Sequence, residues 1–240
     1  GAALWIVFPS DGRPPGPVGA FLKITISKEN YLKAIAEAES DGEPVISATL
    51  ARWLGVSPPA VAMAVKRLKR DRLITIARGG RISLTGPGRE IAGRILHRHH
   101  LIERMLTEIF GMEWYKVHDE AEQLEHAVSA DFEKRLLDKL GTGRPCPHGN
   151  SAEIDTPGDR RKRGWRTLDE VALPSRATVM SIYERDRTLL EYLDGLSIRP
   201  GAEIEVVSRN YDETITLRAG NGPVQIGLTA AARIWVTARA

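Results

Sequence analysis

Apolar side chains in residues 27–40, SKENYLKAIAEAES, recur at Tyr31, Leu32, Ile35 and Ala38, the spacing of one face of an α-helix. Ser27 is its expected N-cap, and Gly42 and Pro44 mark its end. VISATLARWLGV places Ile46, Leu50, Trp53 and Leu54 on one face, with Gly55 where a helix should stop. A third helix follows Ser57 in SPPAVAMAVKRLKRDRL. Pro58 and Pro59 are tolerated there because the first helical N–H groups have no intrahelical acceptor to lose. Val61, Val65 and Leu68 form its buried face, leaving Ala60, Met63, Lys66, Arg67 and Arg70 on the others. LITIARGGRISLT then reads as two short strands around a Gly79-Gly80 turn. Three helices closed by such a hairpin predict a winged helix-turn-helix over residues 26–88.

Two longer helical periods come next. Residues 88–110 carry Ile91, Ile95, Ile102, Leu106 and Ile109, and residues 116–140 carry Val117, Ala121, Leu124, Val128 and Phe132. They predict a helical domain over 89–150 that serves as the scaffold of a homodimer. Residues 151–172 lack an apolar period and read as a linker, whose basic run at 160–163 offers further phosphate contacts. From 173 to 240 the pattern shortens to strands: ATVMSIYE, AEIEVVSR, ETITLRAG, PVQIGL and RIWVTARA, with a short helix TLLEYLDGL. This predicts a small SH3-like barrel, so the fold class is mainly α with a C-terminal β domain. Residues 1–25, rich in Gly and Pro, are expected to be a flexible extension outside the fold.

Composition narrows the function. The net charge is only +3, so a nucleic-acid partner must be argued from clustering. Residues 66–81 supply it, with seven Lys or Arg against one acid on the predicted helix-turn-helix and wing. A single cysteine, Cys146, makes no intramolecular disulfide, which fits the cytoplasm. The N-terminal apolar run lacks the features of a signal peptide, and no stretch reaches the roughly 18 apolar residues of a membrane helix.

All six histidines lie between His97 and His148. His118, Glu122, Glu125 and His126 fall at i, i+4, i+7 and i+8, and His99 and Glu103 at i, i+4, so each set would share one helical side. Imidazole and carboxylate donors without a thiolate suit manganese or ferrous iron and disfavour a closed tetrahedral zinc site. The competing reading is a solvated polar face with i, i+4 support.

ENYLKAI, SPPAVAMAVKRLKRDRL, RHHLIERMLTEIFG, VHDEAEQLEH and CPHGN together resemble the diphtheria toxin repressor family of iron- and manganese-dependent regulators. The resemblance covers residues 27–150 and, more faintly, the C-terminal domain, which is similar to the SH3-like (FeoA-type) domain of many members. It implies a cytoplasmic, homodimeric repressor that binds operator DNA when loaded with manganese or, alternatively, ferrous iron, and controls metal-uptake genes. By position it implies an ancillary metal site at His99, Glu103 and His118, with Glu184 as the candidate fourth donor from the C-terminal domain and Ser181 at another donor position. A primary, regulatory site is implied at Glu122, Glu125 and His126, with Asn30 as the ligand from the first helix. Glu122 is the manganese-type residue. Lys33 stands where the manganese-type binuclear layout has a carboxylate, and Asn30 can offer only a neutral carbonyl oxygen. His97, His100 and His148 are expected to be bystanders, and Cys146 and His148 of CPHGN structural.

In this reading Ser57, Pro59, Ala60 and Met63 meet base edges while Lys66, Arg67, Arg70 and Arg81 grip phosphate. Two rivals differ in class. A metalloenzyme fused to a DNA-binding module would need hydrolytic apparatus, yet neither His-Glu-x-x-His nor Gly-x-Ser-x-Gly occurs, so no enzyme is expected. The other is a metal-independent winged-helix regulator whose histidines are structural.

Overall fold

The computed structural model describes residues 24–220 and 222–239, so the predicted extension lies outside the described residues except for its last two positions. The chain divides into two compact units, one ending at Ile95 and one beginning at Leu96.

In the first unit α1 (Ile26–Asp41), α2 (Ser47–Leu54) and α3 (Pro58–Arg70) pack on one another. Thr25, not Ser27, caps α1: its extended backbone ends the preceding segment and its Oγ1 accepts from the Lys28 N–H at 3.4 Å, leaving Ser27 inside the first turn. Gly55 closes α2 in the left-handed region at φ 62°, as its sequence position predicts. The wing is β1 (Ile74–Ile76) paired antiparallel with β2 (Ile82–Leu84), Ile74 opposite Leu84. Leu32, Ile35, Leu50, Val61, Leu68, Leu73 and Ile82 are buried. The start of α4 (Gly86–Glu108) passes so close to the wing that a Cβ on Gly88 would meet the Leu73 carbonyl oxygen at 2.0 Å.

Within the second unit, the remainder of α4 packs with α5 (Val117–Leu124) and α6 (Ala130–Leu140) around Leu101, Ile102, Met105, Leu106, Val117, Ala121, Leu136 and Leu140. The sequence predicts one helix over 116–140; there are two. Ser129 adopts an extended conformation and its Oγ accepts from the Phe132 N–H, restarting the helix on a new axis. The apolar stripe breaks with it: Leu124 and Phe132 are exposed, and Leu136 and Leu140 are buried. Arg104, buried on α4, holds the end of α6 by donating to the carbonyls of Leu140 and Gly141.

The expected linker contains a short helix, α7 (Pro157–Lys162), capped by Thr156 and tied down by Arg160 and Arg163 on Asp155. Beyond it lie β3 (Arg166–Thr167), β4 (Ser175–Ile182), α8 (Arg187–Gly195), β5 (Glu203–Arg209), β6 (Thr214–Ala219), β7 (Gly222–Gly227), α9 (Leu228–Ala231) and β8 (Ile234–Arg239). The strands form one sheet in the order β3-β8-β4-β5-β6-β7, each neighbouring pair antiparallel. The five predicted strands all form within a residue or two of their expected ends. Among the described residues, no helix is long and apolar enough to cross a membrane.

Candidate metal centre

Four segments of the second unit deliver polar side chains to one buried cluster. On α4, residues three and four apart share a face, so His99, His100 and Glu103 point together. His118 comes from the first turn of α5 and Glu184 from the residues just after β4. The turn 146–150, CPHGN, adds Cys146 and His148. It closes on itself through Gly149 N–H to the Cys146 carbonyl and Cys146 N–H to the Asn150 carbonyl. Gly149 sits at φ 82°, and a Cβ there would lie 2.0 Å from the Met180 carbonyl oxygen, so the turn seats against β4 only with glycine at this position. The Ile182 N–H then donates to the His148 carbonyl, and the Asn150 amide donates to Glu184.

On one side of the cluster His99 Nε2, His118 Nδ1 and Glu103 Oε1 lie 3.0, 3.1 and 3.2 Å from one another. Glu184 Oε1 is 3.9 Å from His118 Nδ1. His99 turns its other nitrogen, Nδ1, to the Glu125 carboxylate at 2.7 Å. A carboxylate accepts, so Nδ1 donates to Glu125 and Nε2 is the nitrogen left facing the other donors, the one a metal would take. Edges near 3 Å match neighbouring ligands of an octahedral ion held at about 2.1 Å.

The other side holds a second donor set. His148 Nε2 donates to the Trp114 carbonyl at 2.9 Å, aiming Nδ1 inward. That Nδ1 is 3.4 Å from Glu103 Oε2, 3.6 Å from Glu184 Oε2 and 3.7 Å from Cys146 Sγ, and the sulfur is 3.7 Å from Glu184 Oε2. Edges of roughly 3.3 to 3.6 Å are those of a tetrahedral ion with nitrogen and oxygen near 2.0 Å and sulfur near 2.3 Å. Glu103 is fully buried, yet its Oε2 accepts no hydrogen bond among the described residues. Both ring nitrogens of His100 are buried in the same condition, with Nε2 3.7 Å from Glu184 Oε1. Buried polar atoms left this way cost stability unless a cation or proton meets them, so the residues fit a metal.

Charge follows the same logic. Burial pushes the Glu103 carboxyl upward, but His148, His99 and His118 outweigh it and hold the group well below the ordinary carboxylate range. At Glu184 burial and Glu103 push up, yet His100 and His118 win and the net direction is again downward. Burial lowers the His148 imidazole, but Glu103 and Glu184 more than offset it and the pKa rises. For the Cys146 thiol, burial and both carboxylates act together and raise it strongly. A divalent ion would replace the proton on His148 and reverse the penalty on the thiolate.

His100 and His148, expected to be bystanders, and Cys146, expected to be structural, lie in the same buried cluster as Glu103 and Glu184. The i, i+4, i+7, i+8 face is also incomplete, because α5 ends at Leu124 and places Glu125 and His126 in the turn that follows. Glu125 is buried against His99; His126 Nε2 is 3.5 Å from Glu125 Oε1. Glu122 remains exposed on α5, 3.7 Å from His118 Nε2 and 3.4 Å from Arg185 Nη1. The clue in the sequence was CPHGN itself, two metal-binding residue types two positions apart in a glycine turn. Ser181 is buried beside the cluster on β4, its Oγ without a hydrogen bond among the described residues. Asn30 is partly buried on α1, in the other unit.

In the first unit Ser57, Pro59, Ala60 and Met63 are exposed around the start of α3. Lys66, Arg67 and Arg70 along α3 and Arg81 on the wing are exposed as well. Each predicted DNA-contacting residue is therefore accessible.

Comparison with known proteins covers both units. Residues 23–79 match the family model described as the iron dependent repressor N-terminal DNA binding domain, residues 85–153 its metal binding and dimerisation domain, and residues 166–238 the FeoA domain. The chain is 34% identical over 208 residues to the diphtheria toxin repressor of Corynebacterium diphtheriae, spanning 82% of this chain and 91% of that one. It is 37% identical over 122 residues to the iron-dependent repressor IdeR of Mycobacterium tuberculosis, spanning 51% of this chain and 53% of the relative. Among solved structures, a manganese-dependent transcriptional repressor in complex with manganese matches with TM-score 0.79 at 31% identity, over 88% of this chain and all of that one. The manganese regulator SloR matches with TM-score 0.72 at 26% identity, over 88% of this chain and 98% of its own.

Proposed function

The chain belongs to the diphtheria toxin repressor family of metal-dependent transcriptional repressors, and from that premise we propose that the His99, Glu103, His118 and Glu184 cluster holds a manganese or ferrous ion, as the ancillary site that supports regulation. Family membership makes it a DNA-binding repressor and not an enzyme. The observation that carries the metal assignment is the convergence of His99 Nε2, His118 Nδ1 and Glu103 Oε1 within 3.2 Å. Nitrogen and oxygen donors at octahedral spacing favour manganese, with ferrous iron second.

A bound ion supplies positive charge and fixed angles to donors that otherwise repel. Glu125 orients His99, and Trp114 orients His148, before any ion arrives. Metal then acts on DNA affinity by binding the DNA-competent arrangement more tightly than the alternative. Asn30, Glu122, Glu125 and His126 enter this reading as the primary site that the family resemblance implies, and Asn30 is carried by that resemblance alone. On DNA, α3 presents Ser57, Pro59, Ala60 and Met63 to base edges, and Lys66, Arg67, Arg70 and Arg81 to phosphates. A homodimer on a two-half-site operator, cytoplasmic and controlling metal-uptake genes, completes the reading.

The test is fluorescence anisotropy on an operator selected from a random duplex pool, with manganese, ferrous iron, cobalt and zinc titrated in competition. Tighter binding with manganese or ferrous iron than without metal is expected. Equal affinity with and without every metal would overturn metal control.

A further inference from the structure

We propose that Glu103 and Glu184 are bridging carboxylates, so that this cluster takes two divalent ions side by side, one among nitrogen and oxygen donors and one with a thiolate. The inference rests on the reading above that the cluster binds metal and goes beyond it in number, sharing and chemistry.

Three observations carry it. Each carboxylate turns one oxygen to each donor set. Glu103 Oε1 is 3.1 and 3.2 Å from His99 and His118, while its Oε2 is 3.4 Å from His148. Glu184 Oε1 is 3.9 Å from His118, while its Oε2 is 3.6 Å from His148 and 3.7 Å from Cys146. Next, the two sets have different spacings. His99, His118 and Glu103 Oε1 lie 3.0 to 3.2 Å apart, with Glu184 Oε1 farther off at 3.9 Å from His118, whereas the second set has edges of 3.4 to 3.7 Å, so the tight triad and the sulfur-containing set suit different ions. Finally, an ion among His99, His118 and Glu103 Oε1 leaves Glu103 Oε2, which accepts no hydrogen bond among the described residues, beside His148 Nδ1 and the Cys146 thiol in the same buried space. His100, with both nitrogens unbonded among the described residues and Nε2 3.7 Å from Glu184 Oε1, stands ready as an additional donor.

Charge balance agrees. Glu103, Glu184, buried Glu125 and the thiolate that Cys146 becomes on ligation supply four negative charges, the complement of two dications. Donor softness then separates the ions: the set with Cys146 prefers a softer metal such as zinc or cobalt, and the His99 set a harder one such as manganese.

The experiment uses the full chain, stripped of metal and titrated with cobalt(II), with metal content measured after gel filtration. At saturation a thiolate-to-cobalt absorption band and intense tetrahedral ligand-field bands should appear. Cys146→Ser should abolish the thiolate band and remove one equivalent; His118→Ala should remove one equivalent and keep the band. Glu103→Gln should weaken both equivalents by more than tenfold, because both ions lose a ligand. Circular dichroism checks that each variant is folded. Saturating the unmodified chain with manganese(II) needs no variant: exchange through shared carboxylates should give a spin-coupled paramagnetic resonance spectrum. Loss of only one equivalent in Glu103→Gln, or uncoupled spectra at full loading, would overturn bridging. Operator binding measured on the same preparations separates the two readings. Metal-stimulated binding with one ion in the cluster sinks the bridge alone, whereas no stimulation by any metal sinks the proposed function.

Discussion

Glu125 Oε2 lies 2.7 Å from His99 Nδ1, and that contact fixes which nitrogen of His99 faces the cluster. Sequence position places Glu125 among the primary ligands; the structure gives its carboxylate an orienting contact with a histidine of the other predicted site. Glu125→Ala should therefore weaken manganese binding at the His99 site by about 10- to 100-fold, the usual effect of removing a carboxylate behind a histidine ligand. Isothermal titration calorimetry reads it. Unchanged affinity at that site would show that the contact does not tune His99.

Arg104→Met should loosen the end of α6. The guanidinium is buried and donates to Leu140 O and Gly141 O, which are left unmet without it. A loss of about 2 to 3 kcal/mol is expected in urea unfolding of the second unit. A loss below about 0.5 kcal/mol would mean that water or neighbouring groups replace the bonds.

Acid should weaken the same corner. Burial raises the Glu108 carboxyl pKa, but hydrogen bonding and charge from Arg104 and Arg144 outweigh it and the net shift is downward. A group with a depressed folded pKa adds stability that is fully present above the unfolded value, about 4.3, and is lost as pH falls through the folded one. Glu108→Gln should flatten the slope of unfolding free energy below pH 5 while leaving the behaviour above pH 6 parallel to the original. An unchanged acid slope would remove Glu108 from the account.

Gly149→Ala should displace His148 and Cys146. The position has φ 82°, and the new Cβ would start 2.0 Å from Met180 O. Strain of about 1 to 3 kcal/mol is expected, seen as a lower melting temperature. The thiolate-to-cobalt band should also be lost. A variant with the original melting temperature and band would contradict the close approach.

Charge removal on α3 separates grip from reading. Lys66→Ala should reduce the slope of log affinity against log salt by about 0.9, if the ammonium meets one phosphate. Met63→Ala should alter base preference with the salt slope unchanged. Identical effects from the two substitutions would contradict the division of roles.

Local pattern sufficed for much of the fold. Helical and alternating periods located α1 to α4 and five of the C-terminal strands, since these depend on which side chains recur on one face. Gly55 and the Gly79-Gly80 turn announced their own backbone geometry. Where local rules competed, the sequence was ambiguous: Thr25 and Ser27 can both cap a helix, and the period through 116–140 hid the restart at Ser129.

His99 and Glu103 were legible because helical spacing aligns them, and the resemblance added His118 and Glu184. What the sequence by itself determined, then, is a winged helix-turn-helix, a helical scaffold rich in metal-binding residues, a small β domain and the family they compose. Only the tertiary structure decided that Cys146, His148 and His100 join the cluster and that Glu125 supports His99. Those contacts join residues far apart in the chain, His100 with Glu184 and Cys146 with Glu184 among them, with a glycine turn packed on β4, and no periodicity along the chain records which oxygen of Glu103 faces which neighbour.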